Sequence, residues 1–325
     1  MEYIFLFLAA FLCGLGFMPL VRKISLRHNL LISPKAPLIG GLVIYLSLIT
    51  VYLCGLCFFK FYSKVINAIL LGGMAMLVFG VIDDLRELSV VAKFLVQAVA
   101  TALLIFFGIR TQIVYIGNAL NMVITFIWVI GITNAFNHLD ILDGLSAGTA
   151  LIVTLALTVI ALLNHDMNTV ILTSALMGSL LGFLVYNLPP AKVYLGNSGS
   201  HFLGFVLAAI AFVISYAPLG RKIALLSPLV VFGLPIFDTL FLIFVRLKKK
   251  KLPFKKTNDH LAMRFAALGY STRKILSVLL GFCLFFSFCG VFLSRVSNLL
   301  GTTIIVLVLI VTLLFFNRVI KVVIK

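Results

Sequence analysis

The stretch "NAFNHLDILDGL", Asn134 to Leu145, lies between two segments apolar enough to cross a membrane, yet it carries two amides, a histidine and two carboxylates. A carboxylate inside a span costs about 2.5–3.5 kcal/mol at the helix centre, so such a junction needs either solvent or a purpose. Asn134, Asn137, Asp140 and Asp143 are three apart, which keeps neighbours on one helix face and turns that face gradually. Gly144 then lets the chain leave the helix. The spacing predicts a stripe of oxygen ligands at a helix end, suited to Mg²⁺ and to the groups around a phosphate.

The rest of the chain explains the setting. Of its 325 residues, 63% are apolar and 11% charged, far from the roughly one-quarter charged of a soluble domain. Runs near the length needed to cross the hydrocarbon fall at about 2–20, 37–58, 66–82, 94–109, 121–134, 146–163, 169–186, 202–217, 224–245, 275–294 and 299–316. The expectation is an all-α, polytopic membrane bundle of about eleven helices, with ten as the alternative, forming one domain over 1–325 with a large loop at 246–274. The first run lacks a basic segment before it and leads straight into further spans, so it is read as a permanent helix rather than a signal peptide. The five cysteines sit in or at the ends of apolar runs and read as packing residues.

Lys and Arg in short loops set orientation. With the N-terminus outside and the C-terminus cytoplasmic, only Lys60, Lys64, Arg110, Arg221, Lys222 and Arg295 of the 26 basic residues fall outside. The net charge of +17 is then a matter of topology and anionic lipid headgroups, and no aromatic-interleaved soluble module suggests nucleic acid. Of the nine acidic residues, all but Glu2 and Asp166 gather at or near the inner face.

Three further stretches join the first. "GVIDDLRELSVVAKFLVQ" sets Asp83 and Asp84 at the end of one span and Lys93, then Gln97, in the next. Two carboxylates beside a lysine serve metal, base and phosphate, though such pairs also simply end helices. "NLPPAKVYLGNSGSHFLGF", Asn187 to Phe205, stops one helix with prolines and opens the next with small residues whose free N–H groups make a phosphate cradle, or a tight reversal only. In the 246–274 loop the Lys248–Lys256 cluster reads as a topology and lipid signal, whereas His260 and Arg264, four apart on a short amphipathic helix, are site candidates. His138 and His201 abut motifs and are otherwise read, like His28 and His165, as loop or packing residues.

As a set, Gly40–Gly41 after Pro37, Asp83–Asp84…Lys93…Gln97, "NAFNHLDILDGL", "PPAKVYLGNSGS", Pro235…Asp238 and "DHLAMRFAALGYS" resemble the polyprenyl-phosphate N-acetylhexosamine-1-phosphate transferase family over most of the chain. The resemblance is closer to the undecaprenyl-phosphate GlcNAc-1-phosphate branch than to the peptidoglycan translocase, whose final loop is histidine-rich where this chain has Ala262 and Met263. It implies transfer of a sugar 1-phosphate from a UDP-N-acetylhexosamine to undecaprenyl or other polyprenyl phosphate, releasing UMP, with Mg²⁺ or alternatively Mn²⁺. The setting implied is the cytoplasmic face of a bacterial inner membrane, among membrane lipids, as the initiating step of a surface glycan such as lipopolysaccharide or cell-wall polymer; a homodimer stays open. By resemblance Asp83 and Asp84 are the paired catalytic aspartates and Lys93 stands near the acceptor phosphate. Asp140 and Asp143 line the nucleotide side, with Asn134 beside them on the substrate, and Asn137 is a metal ligand. His260 and Arg264 belong to the loop that closes over the pyrophosphate. Asn197 stands where members usually carry a metal-binding Asp, which keeps a catalytically impaired, binding-only paralogue as the rival reading. A secondary transporter is disfavoured because the acids gather at helix ends rather than mid-span and no internal repeat is seen.

Overall fold

A computed structural model of the chain describes residues 2–59, 62–216, 221–252 and 259–322. Lys60, Lys255, Lys256 and Lys325 of the charge pattern lie outside them. The chain, expected as one domain, divides by its contacts into two compact units, Met1–Ser215 and Tyr216–Lys325. Apart from a lone bridge between Ile32 and Pro37, the described residues contain no strand.

The first unit comprises α1 (Glu2–His28), α2 (Gly40–Phe59), α3 (Lys64–Leu85), α4 (Val90–Phe106), α5 (Gly117–Leu139), α6 (Leu145–Leu163), α7 (Met167–Asn187) and α8 (Gly196–Val213). Side chains start the helices where the sequence offers them: Ser63, Ser89 and Asp166 accept from Ile66, Ala92 and Thr169 N–H at 3.4, 3.2 and 3.1 Å. Buried hydroxyls of Thr101, Thr133, Thr154 and Thr173 donate to carbonyls one turn back, which satisfies them inside an apolar layer. Helix α8 is buried along nearly its whole length, with α2, α3, α5 and α6 packed against it. Close approach relies on small residues: a Cβ at Gly178 of α7 would sit 2.2 Å from the Phe7 carbonyl of α1.

The second unit contains a 3₁₀ turn (Lys222–Leu226), α9 (Ser227–Val231), α10 (Gly233–Lys248), α11 (Leu261–Ala267), α12 (Thr272–Leu293) and α13 (Asn298–Ile320). The run expected as one span at 224–245 is broken at Phe232, and its halves meet at 71°. A ring lies over the break, since a Cβ at Gly233 would come 2.5 Å from Phe286. Helix α13 turns Leu299, Leu309, Leu313 and Leu314 outward, as a lipid-facing span does.

Nine described helices are long and apolar enough to span a membrane, and ten if the bent pair counts as one. The remaining expected span is α4, an apolar helix of 17 residues. At about 1.5 Å per residue it falls short of a 30 Å hydrocarbon layer. The molecule is a multi-pass membrane protein.

Candidate active site

The polar stretches meet at one end of the first unit. Asp83 closes α3 and organises the turn into α4: Leu88 N–H donates to one carboxylate oxygen at 2.8 Å and Lys93 Nζ to the other at 2.6 Å. The Asp83 carboxylate is wholly shielded and Lys93 mostly so. An ion pair of this kind holds only while both partners are present.

Asp84, the next residue, faces α8. Its two oxygens accept from the Asn197 and Ser198 N–H groups at 2.9 and 3.0 Å, placing a negative charge on the positive end of the helix. The approach requires glycine on both sides. A Cβ at Gly80 would lie 2.4 Å from the Ser198 Cα, and Gly196, at φ +76°, would put one 2.8 Å from Asp84 itself. The expected phosphate cradle is therefore already filled: its leading N–H groups hold a carboxylate of the protein. The loop before it is tied down too, with Gly40 and Gly41 N–H donating to the Tyr194 and Leu195 carbonyls at 2.9 and 3.1 Å.

Asn137 and Asn197 come together across α5 and α8. The Asn137 amide donates to the Asn197 side-chain oxygen at 2.8 Å and to Ser200 Oγ at 3.0 Å. Asn134 turns instead to α4, where it exchanges hydrogen bonds with Gln97 at 2.8 and 3.3 Å. Asp143 accepts from Ala191 N–H at 2.9 Å, which fixes the loop after α5 to the loop after α7. Asn187 completes that junction by accepting from Gly144 N–H at 3.0 Å and donating to the Val193 carbonyl at 2.9 Å. Burial pushes the Asp140 carboxyl up to about 7, with the charges of Asp84 and Asp143 adding and a hydrogen bond from the Gly196 backbone opposing.

This electrostatic chain suits a cation. A cluster that holds back the ionisation of its own member lacks positive charge, and oxygen donors are what a hard divalent ion takes. Among the described residues no three His, Cys, Asp or Glu side chains converge closely enough to hold one ion. By the family resemblance Asn137 and Asn197 would hold such a cation with the anionic substrate; here the Asn137 amide nitrogen, not its oxygen, faces Asn197.

Sequence reasoning passed over Ser200 and Asn187, whose signal was their place in the quoted stretch, at a helix start and before two prolines. His201, read as packing, is fully buried one turn beyond Asn197 with its ring 5.5 Å from that of Phe79.

His260 and Arg264 belong to the second unit. Asp238 of α10 accepts from Leu261 N–H at 3.1 Å and lies 3.4 Å from the His260 ring, anchoring the start of α11. Arg264 donates to the Val319, Ile320 and Val322 carbonyls and so caps α13.

The fold defines a multi-pass membrane protein whose carboxylates and amides gather at helix ends of the first unit. The sequence model of glycosyl transferase family 4 matches residues 66–215, from the first turn of α3 to the end of the first unit. The chain is 29% identical to a probable undecaprenyl-phosphate N-acetylglucosaminyl 1-phosphate transferase of Bacillus subtilis, covering 94% of this chain and 88% of that protein. It is 30% identical to an undecaprenyl-phosphate alpha-N-acetylglucosaminyl 1-phosphate transferase of Thermotoga maritima, over 78% and 76% of the two chains. To a decaprenyl-phosphate N-acetylglucosaminephosphotransferase of Mycobacterium leprae it is 31% identical, over 74% and 68%. The chain belongs to glycosyl transferase family 4.

Proposed function

We propose that this protein transfers N-acetylhexosamine 1-phosphate from a UDP-sugar to undecaprenyl or another polyprenyl phosphate, at the cytoplasmic face of a bacterial inner membrane, as the first step of a surface glycan. The observation that carries the reading is the shielded Asp83–Lys93 pair in the same chain as the Asn137–Asn197 pair and the Asp84-capped helix, at the positions where the family resemblance puts the reacting phosphates. An oxygen of the lipid phosphate attacks the sugar-bearing phosphorus of the donor, the bond to the uridylyl phosphate breaks, and UMP leaves. Both reactants are anions, so neutralising charge, rather than making a stronger nucleophile, governs the rate. Lys93 is the cation for the acceptor: it exchanges Asp83 for the lipid phosphate, and Asp83 then orients that phosphate or takes its residual proton. The lipid phosphate is already largely ionised near neutral pH and serves as its own nucleophile, which favours direct displacement over a covalent aspartyl intermediate.

A divalent cation, Mg²⁺ by preference, would neutralise the donor diphosphate when bound. Asn137 and Asn197 would hold it, with Asp140 and Asp84 supplying charge at longer range. Asp143 and Asn134 shape the donor side through Ala191 and Gln97. His260 stays assigned to the donor by resemblance, while Arg264 supports the loop through α13.

Purified protein incubated with polyprenyl phosphate, Mg²⁺ and a panel of UDP-sugars should release UMP with a UDP-N-acetylhexosamine, and only when the lipid is present. Absence of UMP with every sugar would overturn transfer. The neutral Asn137–Asn197 pair supports one rival, a protein that binds nucleotide sugar without turnover. That reading is preferred if Asn197→Asp is active where the parent is not.

A further inference from the structure

The second unit contains a partly open cavity of about 210 Å³ lined by Arg264, Phe265, Tyr270, Val278, Phe315 and Arg318 with their neighbours. One wall is aromatic: Phe265 stacks on Tyr270 at 5.7 Å and lies 5.9 Å from Phe315. The other is cationic. Arg264 is only 4% exposed, and its guanidinium is committed on one side to the last carbonyls of α13 and lies 5.0 Å over the Phe241 ring. Its Nε is buried without a hydrogen-bond partner among the described residues. A charged group with a desolvated, unused donor is costly, by more than the roughly 1–3 kcal/mol of a neutral one. Arg264 and Arg318 both line the cavity, so its wall carries two guanidinium charges.

Charge favours an anion. Asp259 is the carboxylate nearest Arg264, at 3.9 Å, but it bonds Lys249 at 2.6 Å and leaves the arginines in excess. The carbonyl end of α13 opposes with about half a negative charge, against two full positive charges from Arg264 and Arg318. Arg318 is exposed in the last turn of α13, and Tyr270 immediately precedes Ser271, the N-cap of α12. The cavity thus lies at a helix-end boundary, and α13 presents the exposed apolar side chains Leu313 and Leu314.

We propose that this cavity binds the headgroup phosphate of an anionic membrane phospholipid between Arg264 and Arg318, with the acyl chains along the exposed face of α13. The site is built within the second unit. Arg264 also caps α13, so the decisive variants are Arg318→Glu, at an exposed position, and Val278→Trp, which fills the cavity.

The test is native mass spectrometry of the delipidated full-length protein titrated separately with phosphatidylglycerol, phosphatidylcholine and polyprenyl phosphate, and with phosphatidylglycerol in the presence of inorganic phosphate. One interfacial basic residue accounts for about a fivefold preference for the anionic lipid. Wild type should take one phosphatidylglycerol with at least that preference, and both variants should lose it while keeping the parent's elution volume and thermal midpoint. Equal binding of phosphatidylglycerol and phosphatidylcholine, or unchanged preference in folded variants, overturns the proposal. So does occupancy by polyprenyl phosphate alone, or abolition of lipid binding by roughly millimolar inorganic phosphate.

Discussion

Asp83 has both oxygens engaged before any substrate arrives, so removing either it or Lys93 has two consequences. Lys93→Met leaves a fully shielded carboxylate without its cation and should destabilise the fold by about 3–5 kcal/mol, besides reducing transfer. Asp83→Asn keeps an acceptor for Leu88 N–H and should lower turnover by about a hundredfold or more with a much smaller loss of stability. Thermal unfolding in detergent beside UMP release separates the two; wild-type turnover in Asp83→Asn would remove Asp83 from the chemistry. At Asn197 an added carboxylate still accepts from Asn137 and brings the charge that the proposed cation site lacks. Asn197→Asp should therefore lower the Mg²⁺ concentration for half-maximal transfer, and an unchanged requirement would show that this residue is no ligand. Asp140, held near 7, is neutral below that pH and charged above it, and a cation favours the charged form. The Mg²⁺ requirement should rise as pH falls through about 7, and less steeply in Asp140→Asn. The spacing-by-three of Asn134 to Asp143 revealed a polar stripe. It did not reveal that Asn134 would turn to Gln97, or that Asn137 would meet Asn197 sixty residues away, because no local pattern encodes a partner on another helix.

Helix α8 illustrates what local reading misses. "GNSGS" is legible as a glycine-rich helix start, but the carboxylate that caps it comes from α3, 113 residues earlier. Asp84→Ala should uncap α8 at a cost of about 1–2 kcal/mol, and Asp84→Asn, which keeps one accepting oxygen, should recover part of it. A Gly80→Leu change should be worse than either, since nothing can move aside when a side chain meets backbone at 2.4 Å; thermal midpoints of the three variants give the ranking. Hydropathy located the spans because it sums over many residues. It missed the bend at Phe232, where apolar character continues across a 71° change of direction set by tertiary packing.

Composition alone fixed the class of the whole molecule, since 63% apolar residues cannot be enclosed in a soluble core. Sidedness rests on the distribution of Lys and Arg, and it predicts that cysteines placed at Arg86 and Lys192 are protected from impermeant reagents applied outside intact cells. Labelling there would reverse the topology and remove access to a cytosolic nucleotide sugar. The central claim is that a phosphorylated sugar moves, not a bare one, and the fate of the donor's β-phosphorus decides it. With UDP-N-acetylglucosamine radiolabelled at that phosphorus, Mg²⁺ and polyprenyl phosphate, the purified protein should pass the label into an organic-soluble lipid product and release unlabelled UMP. Label recovered in UDP, or retained in unreacted donor while the lipid stays unmodified, would contradict the account.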